Sequence, residues 1–212
     1  MICALVPVKS LSAGKSRLAP VLPDKEREAL SVYMLEKVLD ALLLTGRFHW
    51  IGVVTDDPRV EAVAREREAH TLREDGAINE NRSITYGSRI CREMGANSLL
   101  VIHADLPLVT AGDIETLIST GGGAPKVVIC PSKEGTGTNA LYRTPPEVIP
   151  ACFGPGSFSR HVAEAAARNI PWEKCSLPGI AMDLDTPDDL ENLRCRPGFS
   201  SLAPCPKETW VS

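Results

Sequence analysis

The sequence predicts a wound α/β sheet, on three observations. Short apolar, β-branched runs recur at residues 2–8, 50–55, 98–103 and 126–130. Stretches with helical spacing separate them. The length of 212 residues suits one large α/β domain whose core needs neither disulfides nor a structural metal.

The four runs lack polar alternation and therefore read as buried parallel strands. Between the first two, Leu30, Met34, Val38, Ala41 and Leu42 mark one face of a helix over 24–44, with Pro23 just before it and acids in its first turn. Further helices are predicted at 59–68, 79–94 and 112–119, the last opened by Thr110 and Asp113 at capping-box spacing. Strands alternating with helices give a Rossmann-like wound sheet. After residue 135 the alternation weakens, leaving a Gly-rich turn, a short strand at 141–143, a second Gly-rich turn and a helix at 159–168. The predicted domain spans 1–194. Residues 195–212, with Pro197, Pro204 and Pro206 and no periodicity, read as a loose tail.

Composition narrows the function classes. Hydrophobic content of 43% and charged content of 24% are those of a globular protein, and a net charge of -4 argues against nucleic-acid binding. Any phosphate site must be local. The seven cysteines are scattered without a C-x-x-C pair and read as reduced thiols. The first apolar run is too short for a signal peptide or a membrane span, so a cytoplasmic location is expected.

Three segments carry chemistry. A loop with Lys9, Gly14, Lys15 and Arg17 follows the first strand, where phosphates bind in wound sheets. It is not a Walker A loop, because Lys9 stands where the first glycine is required. The alternative is a solvated connection. The second segment is Asp105, ending the apolar strand before Leu106-Pro107. An acid there is either paired, hydrogen-bonded or metal-bound, or it caps the turn.

The third segment contains Asp183 and Asp185, which share a face if the chain is extended, while Met182 and Leu184 turn to the core. Carboxylates paired in this way, with no basic partner in view, attract a hard cation such as Mg²⁺. Asp188 and Asp189 fit the first turn of a helix capped by Thr186, with Pro187 at its first position. Residues 135–140 match G-x-G-x-x-A but precede a strand, which excludes a dinucleotide fingerprint. His103 and His161 read as packing residues.

Taken in order, residues 6–18, 104–108, 137–141, 153–158 and 183–190 resemble the CofC-type guanylyltransferases of coenzyme F-420 biosynthesis. These are relatives of the molybdenum-cofactor guanylyltransferases and have a glycosyltransferase-A-like fold. The resemblance implies transfer of GMP from GTP to 2-phospho-L-lactate, phosphoenolpyruvate or 3-phospho-D-glycerate, with release of pyrophosphate. It also implies Mg²⁺ on Asp105, Asp183 and Asp185, and a triphosphate-facing loop with Lys9, Lys15 and Arg17. Asn79 would lie near the guanine, and Thr138, Gly154 and Ser157 near the acceptor. A molybdenum-cofactor or sugar-phosphate nucleotidyltransferase is the alternative within the fold, and a noncatalytic GTP-binding module the alternative outside it. Oligomeric state stays open, with a homodimer as one option.

Overall fold

The computed structural model of the chain describes residues 1–11, 15–73 and 79–199. Its first half runs β1 (Ile2–Pro7), α1 (Asp24–Leu44), β2 (Trp50–Val54), α2 (Pro58–Glu66), β3 (His70–Leu72), α3 (Glu80–Glu93) and β4 (Ser98–Ile102). Next come α4 (Ala111–Thr120), β5 (Lys126–Pro131), β6 (Thr138–Thr144) and α5 (Ser157–Ala167). The described chain closes with β7 (Trp172–Lys174), α6 (Pro178–Ala181) and α7 (Pro187–Arg194). A 3-10 turn at Ser16–Leu18 follows β1. Of the expected tail, residues 200–212 lie outside the described residues, as do 12–14 of the basic loop.

The strands form one seven-stranded sheet in the order β3-β2-β1-β4-β6-β5-β7. β1 pairs in parallel with β2 on one side and β4 on the other, so the winding reverses between β1 and β4. Ligands of open α/β sheets bind beyond the carboxyl ends of strands at such a reversal. The four expected strands, β1, β2, β4 and β5, all run in one direction, and β6 lies between β4 and β5 antiparallel to both. The link at 132–137 is too short for a parallel crossover and closes as a hairpin, with Ser132 N–H donating to the Gly137 carbonyl at 3.1 Å.

Alternation along each strand divides the core into two faces. Ala4, Val6, Leu100, Ile102, Val128 and Tyr142 face α1, α2 and α4, while Cys3, Leu5, Leu99, Val101, Val127 and Leu141 face α3 and α5. A third cluster joins Leu18 of the 3-10 turn, Leu30 and Met34 of α1, Met182, Leu184, and Leu190 and Leu193 of α7. This small core holds the basic loop after β1 beside the acidic 183–185 segment. Met182 and Leu184 are buried as their alternation requires.

Helix starts follow the sequence signals. Thr110 and Asp113 form a full capping box on α4, and Thr186 and Asp189 form another on α7. The helix expected over 59–68 stops at Glu66, and Glu68 takes a left-handed φ of 55°. The helix expected from 159 starts at Ser157 behind Gly156, whose φ of 68° suits glycine. β3, β7 and α6 are only three or four residues long and carry no periodic signal.

Gly179 of α6 is the tightest backbone approach near the acidic segment. A methyl there would sit 2.7 Å from the Leu108 carbonyl oxygen and would meet the Asp113 carboxylate of the α4 capping box. Gly179→Ala should therefore push α6 away from α4 and cost about 1–3 kcal/mol. Chemical denaturation checks this, and a loss under about 0.5 kcal/mol would mean that α6 yields freely.

Candidate active site

β1 ends at Pro7, and Val8 N–H still bonds the Val54 carbonyl at 2.9 Å before the chain leaves the sheet. Buried Asp57 then pins the departing loop, accepting from Leu11 N–H at 3.1 Å and Ser10 Oγ at 3.3 Å. Burial opposes its charge, but Arg59 and the Leu11 amide hold its carboxyl at about 2. The loop returns at Lys15, in a left-handed conformation with φ 57°, which leads into the 3-10 turn.

Lys15 Nζ lies 2.7 Å from Asp105 Oδ2 and 2.7 Å from Asp185 Oδ1. The carboxylates thus have a basic partner, contrary to the expectation that none was near. Asp105 and Asp185 are 90 and 170 residues from Lys15 along the chain. Burial disfavours the Lys15 ammonium, yet the two acids outweigh it and raise its pKa. Burial likewise disfavours the Asp105 carboxylate, and Lys15 and His103 hold it below the ordinary value. Asp105 Oδ1 is buried without a hydrogen-bond partner.

The acidic segment is tied in place by backbone. Leu184 N–H donates to the Asp105 carbonyl at 3.1 Å, joining it directly to the end of β4. Asp189 accepts from the Asp185 and Thr186 amides at 3.1 and 2.8 Å and pairs with Lys133 of the β5–β6 hairpin. Asn139 of β6 donates to the Ile180 and Ala181 carbonyls at 2.9 and 3.2 Å and to Asp183 Oδ1 at 3.2 Å. Asp183 has its pKa raised by burial and by the charges of Asp105 and Asp185, despite that bond.

Opposite lies the corner built by β6 and the 154–157 turn. Thr138 and Ser157 are buried, and Asn81 of α3 clamps Phe153, accepting from its N–H at 2.6 Å and donating to its carbonyl at 3.0 Å. Gly154 has φ 106°, which only glycine takes readily, and Ser157 N–H donates back to its carbonyl at 3.0 Å. The amides of Ser157, Phe158 and Arg160 are engaged within the protein, by the carbonyls of Gly154, Thr136 and Gly156.

These segments surround one cavity of about 800 Å³. Lys9, Lys15 and Arg17 line it from the β1 side, Asp105, Asp183 and Asp185 from the acidic side, and Thr138, Gly154 and Ser157 from the third. Asn79 does not join them. Its side chain caps α3 by accepting from Arg82 N–H at 3.1 Å, and its neighbour Glu80 lines the cavity instead. His103, expected as packing, also lines it, with Nε2 3.2 Å from Glu80 Oε1 but off the line of a hydrogen bond. The Asn139 amide, which the sequence offers with the neighbouring hydroxyls to a small anion, is spent instead on the Ile180 and Ala181 carbonyls and Asp183. Among the described residues no three His, Cys, Asp or Glu side chains stand close enough to hold a metal ion as they are placed.

A basic loop and an acidic segment facing one cavity at the reversal of a wound sheet define the class as an α/β nucleotidyltransferase. The fold matches a nucleotidyl transferase from Methanothermobacter with a TM-score of 0.67 at 16% identity, covering 92% of this chain and 96% of that one. It matches a cytidylyltransferase from Leptospira borgpetersenii with a TM-score of 0.58 at 12% identity, over 91% and 84%. The chain belongs to the CofC-like guanylyl transferase family, whose profile, "Guanylyl transferase CofC like", matches residues 2–196. It is 40% identical over 197 residues to the phosphoenolpyruvate guanylyltransferase of Rubrobacter xylanophilus, covering 93% of this chain and 95% of the relative. It is 32% identical over 189 residues to the 3-phospho-D-glycerate guanylyltransferase of Colwellia psychrerythraea, covering 89% of each.

The charge cluster sets a pH window. Asp105 titrates below its unfolded value, so its contribution to stability is present above that value and is lost as pH falls through the folded pKa. Lys15 titrates above its unfolded value, so its contribution is lost only as pH rises through the alkaline range. Lys15→Ala in metal-free buffer should cost about 2 kcal/mol at neutral pH, near the low end for buried pairs because Asp185 is 43% exposed. The deficit should shrink as pH falls from about 4 through the lowered pKa of Asp105. Denaturation at both pH values checks this, and a deficit independent of pH would show that the lysine acts by packing alone.

Proposed function

We propose that this guanylyl transferase joins the GMP portion of GTP to a small phosphorylated acid, in the cytoplasm and within coenzyme F-420 biosynthesis. The observation that carries the reading is the single cavity, which sets Lys9, Lys15 and Arg17 across from Asp105, Asp183 and Asp185 and beside Thr138 and Ser157. An oxygen of the acceptor's phosphate forms a new anhydride bond to the α-phosphorus of GTP, and the bond to the β-phosphate breaks as pyrophosphate leaves. The acceptor phosphate is already largely ionised near neutral pH, so no protein nucleophile is needed. The obstacle is the approach of two anions.

The donor set suits Mg²⁺. Carboxylates are its preferred protein ligands, and Asp105 Oδ1 is a buried oxygen with no other partner. Asp105, Asp183 and Asp185 would hold the ion, and it would supply charge neutralisation at the phosphates. Lys15 would then turn from the acids to the triphosphate with Lys9 and Arg17. Asn139 aims Asp183, while Thr138 and Ser157 receive the acceptor's second anionic group. Two relatives are named for phosphoenolpyruvate and 3-phospho-D-glycerate, which stand beside 2-phospho-L-lactate as the acids to test.

Purified protein with GTP and Mg²⁺ should release pyrophosphate in the presence of one of these acids, and no release with any of them would overturn the reading. Asp105→Asn and Asp183→Asn, measured separately, should each lower turnover by at least about a hundredfold with folding retained. Near-normal turnover in both at saturating Mg²⁺ would remove the metal assignment. Ser157→Ala should reduce kcat/KM for the acceptor about tenfold to a hundredfold and leave direct GTP binding unchanged. Equal losses on both sides would move Ser157 to the nucleotide.

A further inference from the structure

His161 of α5 is fully buried, and both of its ring nitrogens are engaged. Cys152 N–H donates to Nε2 at 3.0 Å, and Thr138 Oγ1 lies 3.1 Å from Nδ1. A backbone N–H can only donate, so Nε2 must offer its lone pair. The neutral ring then carries its single proton on Nδ1, an assignment made from the partners. A charged ring would set two protons against each other at Nε2. Burial, with Arg143 and Arg160 nearby, keeps the ring neutral by lowering its pKa to about 3. Phe153 and the imidazole pack in a T-shaped arrangement with centroids 4.9 Å apart, which restrains the ring plane.

Nδ1–H must therefore donate to Thr138 Oγ1, which spends a lone pair of that hydroxyl. The hydroxyl proton has to point away from the ring, and Thr138 lines the cavity. We propose that His161 is a positioning residue that acts through Thr138, holding its hydroxyl as a donor toward the acceptor. A threonine without such a neighbour could rotate and present lone pair or proton equally. With His161 in place this corner offers a proton, which a carboxylate or phosphate oxygen accepts and a neutral donor group does not. The identity of the ligand rests on the function proposed above, whereas the tautomer does not.

Two measurements test it. In ¹⁵N-labelled wild-type protein, the His161 imidazole should show a protonated Nδ1 and a bare Nε2, unchanged between about pH 5 and 8. A protonated Nε2 would overturn the proposal, whatever the enzyme's substrate. In kinetics, His161→Phe should raise the acceptor KM about tenfold or more with GTP affinity unchanged, while His161→Asn, whose amide can still donate to Thr138, should recover most of it. Thr138→Val should raise the KM similarly, and the Thr138→Val, His161→Phe double variant should be no worse than Thr138→Val alone. Additive losses would show that His161 does not work through Thr138. Failure of the wild type to use any of the three acids would remove the function reading and leave the NMR result to decide the tautomer.

Discussion

The ammonium of Lys15, 2.7 Å from both Asp105 and Asp185, is the contact on which the site's geometry depends. Two acids brought together at the mouth of a cavity repel each other and resist burial, and one cation between them relieves both effects. The cluster therefore draws the loop after β1, the end of β4 and the segment before α7 to one point. The Leu184 to Asp105 backbone bond and the Leu18, Met34 and Leu184 core hold the same three segments together without charge. Because the packing is apolar and the ligand-facing contacts are ionic, an incoming anion or cation can rearrange the charges without loosening the core.

The other half of the site is organised by neutral hydrogen bonding. Asn139 links β6 to α6 and Asp183, Asn81 links α3 to the turn after Phe153, and His161 links α5 to Thr138. Each is a buried or half-buried polar group that is hydrogen-bonded, which is the condition for keeping such groups inside a fold. They converge on one cavity because β6 runs antiparallel beside β4, setting Thr138 and Asn139 next to the carboxyl end of that strand. In a purely parallel sheet that edge of β6 would face the other way. The mixed sheet thus brings a corner bearing the Thr138 and Ser157 hydroxyls beside an acidic one.

Much of this was written locally in the chain. The apolar runs gave four of the strands, the spacing of Leu30 through Leu42 gave α1, and the Thr110 and Thr186 caps fixed the starts of α4 and α7. The alternation of Met182 and Leu184 with Asp183 and Asp185 placed both acids on the cavity side, because a side-chain period of two requires only an extended backbone. Asn79, which the family resemblance sets near the guanine, caps α3 with its side-chain oxygen, as a helix N-terminus requires.

By itself, the sequence determined the α/β class, the main helices and the basic and acidic residues that the fold brings to one cavity, since these follow from periodicity and short-range chemistry. Tertiary structure decided the partners of Lys15 and the partners of His161. Those depend on residues 90 and 170 positions from Lys15 and 23 from His161, and no local pattern encodes which distant groups will meet. A side chain's charge is fixed by its identity, but its role at the site is fixed by what lies within about 3 Å of it, and only folding sets that.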